Sequence, residues 1–125
     1  MLIPALWESS ASWKDKAWIV GLECNGASKA YDWNKLKNER IINDMIGDQP
    51  VAIVLSTDGS SFFAYERSGI GVNMVLKNDT IIYANRSFDI TGRDLDGTGS
   101  NLVPVRAYQE FWHSWLTFHP MTMKY

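Results

Sequence analysis

His113 and His119 are the only imidazoles in the chain, and both stand in the run YQEFWHSWLTFHP near its end. Histidine is the side chain that trades protons near neutral pH. Set beside a carboxylate, it would act as acid or base on a small molecule, in hydrolysis or isomerisation. Two carboxylates are marked by pattern: Asp44, at the end of an apolar run, and Asp58, in an Asp-Gly turn signal. His113 with Asp58 or Asp44 is therefore the enzymatic reading. A shared metal is disfavoured, because six residues of helix rotate the two histidines about 240° apart. His119, just before Pro120, suits a structural place at a helix end, where a protonated ring meets the negative pole of the dipole.

Other chemistries have thinner support. Ser60 and Ser61 follow Asp58-Gly59, but no Gly-x-Ser-x-Gly elbow exists to raise a nucleophile. Asp94-Leu-Asp96-Gly97 resembles the start of a calcium loop and lacks its third ligand and distal Glu, so a solvated loop is expected. Gly69-Ile-Gly71 has no helix after it to seat a phosphate. Cys24 is the single cysteine, which excludes an intramolecular disulfide and a cysteine-based zinc site. Asn43 and Asp44 have two readings. They satisfy the backbone of the turn at Gly47, or they aim an amide and a carboxylate at a ligand. No cofactor is expected.

The bulk properties bound the partners. With 125 residues the chain suits one domain, and 46% apolar residues suffice for a core. A net charge of −2 with no concentrated basic face argues against nucleic acid. No run approaches the ~20 apolar residues of a membrane span. The first ten residues, MLIPALWESS, lack a basic n-region and an adequate apolar core, so the chain as it stands is expected in the cytoplasm.

The elements that must position these residues follow from punctuation and periodicity. Ala17 to Glu23 reads as a strand, Asn25-Gly26 as a tight hairpin turn, and Ala27 to Tyr31 as the return strand. Asp32 is placed to cap a short helix over 32–38, with Trp33 and Leu36 inward. Arg40 to Asp44 is extended. Val51 to Ser56 opens with a continuous apolar run, as in a strand covered on both faces. Further strands are expected at Ser61–Arg67, Val72–Lys77, Thr80–Tyr83 and Ser87–Thr91, with hairpins at Asp58-Gly59 and Asn78-Asp79. Serines 9, 10 and 12 suggest a turn or capped start, and Gly69 a break. Tyr108, Phe111, Trp112, Trp115 and Leu116 recur at helical spacing, which predicts an amphipathic helix over 107–119 closed by Pro120. The sum is an α+β fold: a mainly antiparallel sheet of several short strands with a terminal helix.

Five ordered segments carry a resemblance. They are WIVGLECNGASKAYDW, ERIINDMIGDQPVAIVL, SFFAYER, SFDITGRDLDG and LVPVRAYQEFWHSWLTFHP. Together they resemble the bacterial domain-of-unknown-function family three-one-seven-nine. The chain looks like a short form of the C-terminal part of longer members, many of which look exported. Many members carry a Cys-Pro-x-Cys-like pair whose positions fall near Ser56 and Gly59 here, so any role of that pair is lost. The resemblance implies a shared fold and no activity.

The reading these features favour is a non-catalytic binding or interaction module that self-associates as a homodimer or higher oligomer, with room for a small-molecule ligand. Residues Asn43, Asp44, Asp58 and His113 are its candidate ligand contacts. The alternatives are the His113 hydrolase or isomerase above and a truncated family domain without retained activity.

Overall fold

The structure is a computed structural model, and it describes residues 13–68, 71–97 and 99–125. The expected turn at serines 9, 10 and 12 and the break at Gly69 lie outside these residues. Among the described residues twelve elements follow in order: β1 (Trp18–Cys24), β2 (Ala27–Asp32), α1 (Trp33–Glu39), β3 (Ile41–Ile46), β4 (Gln49–Leu55), β5 (Phe62–Glu66), β6 (Val75–Lys77), β7 (Thr80–Tyr83), β8 (Arg86–Asp89), β9 (Arg106–Phe111), α2 (Trp112–Phe118) and β10 (Met123–Lys124). They form three sheets, ordered β10-β2-β1-β9, β3-β4-β5 and β6-β7-β8. All ladders are antiparallel except β10 on β2. The α+β reading stands.

Alternation along each strand explains the layering. In β1, Ile19 turns outward to meet Ala30, Trp112 and Trp115. Val20 and Leu22 turn the other way and meet Val51, Ile53 and Leu55 of β4. From β4, Ala52 and Val54 then face Ile81, Tyr83 and Phe88 of the third sheet. The layers run α2, first sheet, second sheet, third sheet. That is why Val51–Leu55 is apolar at every position: both faces are covered and all five residues are buried. Each valine, isoleucine and leucine among them contributes roughly 1.5–3 kcal/mol of gross transfer energy, and Ala52 less.

One segment joins the first two sheets. Ahead of β9, Val105 N–H donates to Ala64 O at 2.9 Å, and Glu66 N–H donates to Val103 O at 2.9 Å. Residues 103–105 thus pair with β5, and the chain then crosses to pair with β1 as β9.

The turns behave as their residues dictate. Asn25 and Gly26 have φ of 51° and 82°, both in the left-handed region a type I′ turn needs. Asn78, at φ 54°, turns β6 into β7. Residues 56–61 close β4 onto β5 around the expected Asp58-Gly59 signal, with Ser56 N–H donating to Ser61 O at 2.8 Å. Two short departures concern caps and lengths. Asp32 occupies the cap position of α1, but its side chain makes no capping bond. The strand expected over Val72–Lys77 is confined to Val75–Lys77.

The larger correction concerns the aromatic run. The helix expected over 107–119 is confined to α2, Trp112–Phe118, and Arg106–Phe111 is a strand. Its helical spacing was outweighed by the needs of β1. Without β9, β1 would leave a row of N–H and C=O groups without a ladder. β9 supplies it, with Trp18 opposite Phe111 through Glu23 opposite Arg106. Tyr108, Phe111 and Leu116 are therefore 40%, 39% and 37% exposed, and only Trp112 and Trp115 of the five are buried.

Candidate functional site

The four residues picked out in the sequence fall at three separate places. Asn43, half-buried in β3, donates its amide to Met74 O at 3.0 Å and accepts from Met74 N–H at 2.8 Å. It closes a two-bond clasp on the strap before β6. Its neighbour Asp44 accepts from Lys29 Nζ at 2.7 Å and from the Tyr31 hydroxyl at 2.9 Å. Burial, together with the Asp44 charge, pushes the Tyr31 phenol far above its ordinary range.

Asp58 organises its own loop. Its Oδ1 accepts from Ser56 Oγ at 2.6 Å, Ser60 Oγ at 2.7 Å and Ser60 N–H at 3.0 Å. These bonds, the one from Ser56 foremost, hold its carboxyl down to about 2. His113 stands exposed on α2. Its backbone N–H donates to Asp15 O at 2.9 Å, and its ring has no hydrogen-bond or ion-pair partner among the described residues. No bond joins His113 to Asp44 or Asp58, and none of the four residues lines the largest cleft described.

That cleft, of about 530 Å³, opens where four segments meet: the β1–β2 turn, the end of β5 at Glu66, residues 104–106, and residues 119–121 after α2. Its geometry starts from a glycine. Gly21 has no side chain, so the Trp115 indole lies flat against β1; a β-carbon there would be 2.6 Å from three ring atoms. Trp115 Nε1–H donates to Thr122 Oγ1 at 2.9 Å, which fixes the ring. His119 stacks on it with centroids 3.7 Å apart and planes 19° off parallel.

His119 sits between two acceptors: Nδ1 lies 3.2 Å from Trp115 O and Nε2 lies 3.4 Å from Glu23 Oε2. Each neutral tautomer can donate to one of them, and only the imidazolium donates to both.

Three further groups line the space. Burial first, and the Glu66 charge second, raise the Cys24 thiol. It stays protonated at neutral pH and is a poor nucleophile. Glu66 is half-buried and Arg106 exposed, and among the described residues neither side chain enters an ion pair. No group of three or more His, Cys, Asp or Glu among the described residues is arranged to hold a metal.

The sequence did not nominate this site. Glu23 and Arg106 become neighbours only because β9 is a strand, and that segment carries helical spacing. Cys24 ends β1, and His119 caps α2 as the helix end expected of it; both residues also wall the cleft.

A layered α+β protein with an open polar cleft at one end of its first sheet is the class that fold and site define. Residues 4–122 match the family described as "Protein of unknown function (DUF3179)", and the chain belongs to that family. No curated protein and no solved structure matches it significantly. Among the described residues no helix is long and apolar enough to cross a membrane.

Proposed function

We propose that the chain is a non-catalytic binding module whose ligand seat is the cleft between the β1–β2 turn and residues 119–121. The observation that carries this reading is a division of labour among the polar groups. Asp44, Asp58 and Asn43 are committed to bonds that hold the fold, and His113 stands apart from them. Glu23, Glu66, Arg106 and His119 instead face a common space. Small-molecule seats are concave and carry a few convergent polar groups on an apolar body, and here Val105, Pro104 and Met121 supply the apolar part. The hydrolase or isomerase alternative needs His113 beside Asp44 or Asp58.

The test is an NMR titration of the isotopically labelled chain with a panel of amines, carboxylates, sugars and nucleotides. Saturable shifts at Cys24, Glu66 and Arg106 support the seat. Shifts confined to other surfaces would sink it, and silence across the panel would favour a family domain without retained activity.

Self-association is the second reading, and exposed aromatic surface favours it. Trp18 and Phe111, 46% and 39% exposed, stack with centroids 4.2 Å apart, and Phe118 and Met121 are 75% and 89% exposed. Apolar surface of this kind is commonly covered by a second copy. Light scattering at high micromolar concentration should give at least a dimer mass; a monomer there overturns it. The lone Cys24, with no disulfide to form inside the chain, suits a reducing compartment.

A further inference from the structure

We infer that the cleft takes a small zwitterion, an α-amino acid or a dipeptide, with Glu66 receiving its ammonium group and Arg106 its carboxylate. The inference rests on the cleft being the binding seat proposed above, and it adds the chemistry of the occupant.

Opposite charges inside one cleft usually find each other. Here Glu23, Glu66 and Arg106 line one space. Arg106 faces Glu23 across the β1–β9 register, yet no ion pair joins Arg106 to Glu23 or to Glu66 among the described residues. Glu66 is anchored by its backbone N–H bond to Val103 O at 2.9 Å, three residues before the crossing segment reaches Arg106. A carboxylate and a guanidinium that share a space without neutralising each other are complementary to a molecule with both charges. Arg is suited to the carboxylate end, since its planar fork can present two donors to it.

Neighbouring groups fit the same occupant. Glu66 already raises the Cys24 thiol, so its field reaches across the cleft wall. A protonated thiol beside it offers no competing charge. Glu23 presents carboxylate acceptors, which suit the remaining ammonium hydrogens or a peptide N–H. Val105 and Met121 give an apolar side chain a surface to lie on. A cleft of about 530 Å³ has room for two residues.

The experiment titrates the labelled full chain with glycyl-leucine, with N-acetyl-glycyl-leucine and with glycyl-leucinamide. Glycyl-leucine should give saturable shifts at Cys24, Glu66 and Arg106, and each blocked analogue should bind about tenfold or more weakly, the loss of one charge-assisted contact. Glu66→Gln should erase the preference for a free amine, and Arg106→Gln the preference for a free carboxylate. His113→Ala, outside the cleft, should bind as the parent does. Thermal melts of the variants check that each folds.

Equal binding of the blocked analogues at the cleft would overturn the zwitterion while leaving the seat in place. Shifts elsewhere, or none by about 10 mM where even weak affinity shows, would overturn it as well. Where the shifts fall elsewhere, the seat falls too.

Discussion

Gly21 and Trp115 touch so closely that the glycine's missing side chain is the space the indole occupies: a β-carbon would stand 2.6 Å from Cδ2, Cε2 and Cε3 of the ring. The contact joins the middle of β1 to the middle of α2. It also supports the cleft, because His119 stacks on the same indole.

Gly21→Ala should therefore destabilise the protein although alanine is the smallest possible addition. The whole ring must retreat, not a flexible tip, and overpacking of that kind costs about 1–3 kcal/mol. Chemical denaturation should show the lower midpoint. An unchanged midpoint would mean that Trp115 is free to move.

Trp115→Ala opens a void between α2 and the first sheet, since this side chain is fully buried. A loss of about 3–5 kcal/mol is expected, a large share of a typical net stability of about 5–15 kcal/mol. The melting temperature followed by circular dichroism should fall by roughly 10 °C or more. A melting temperature within a few degrees of the parent would contradict the burial.

Asp58 sets an acid limit. Its folded carboxyl is lowered to about 2 from an ordinary 3.8. The stability it contributes is complete above the ordinary value and is lost as pH falls through the folded one. Asp58→Asn should therefore be less stable than the parent at neutral pH by an amount that shrinks between about pH 4 and pH 2. Parallel denaturation curves across that window check it. A constant gap would mean that the carboxylate charge is not what the serines hold.

Asn43→Ala removes both bonds to Met74 and leaves its backbone amide and carbonyl without their side-chain partner. A cost of about 1–3 kcal/mol follows. Hydrogen exchange at Met74 should accelerate more than exchange in β4. Uniform acceleration would show that the clasp is not local.

Much of this fold was legible in the chain because its signals were local. Asn25-Gly26 dictated its turn through positive φ. The unbroken Val51–Leu55 run announced a strand covered on both faces, and both covers are present. The tight turn at Ala84 and Asn85, with φ of 52° and 63°, went unread because alanine carries no turn signature. β9 was misread for a non-local reason. Its aromatic spacing suits a helix, and only the ladder demanded by distant β1 makes it a strand. The cleft shared that fate, since its residues come from four segments whose meeting depends on β9. Asn43 and Asp44 stood out as polar residues read as ending a strand before the Gly47 turn, whereas β3 runs on to Ile46 and both lie in its middle. That they clasp Met74 and anchor Lys29 and Tyr31 is a matter of which segments lie beside them, which spacing does not encode.

The pairing of Trp18 with Phe111 sets a schedule on synthesis. β1 is among the first described elements to leave the ribosome, and its second neighbour is nearly the last. Until then β1 and β2 can form only a hairpin, and Ile19 has neither Trp112 nor Trp115 to cover it. The second sheet, built from contiguous β3, β4 and β5, can assemble earlier. Closing so long a loop is slow, and hydrophobic surface waiting on it invites aggregation. A nascent chain stalled before residue 106 should therefore hold its second sheet and remain sticky along β1, prey for a chaperone until the aromatic segment arrives.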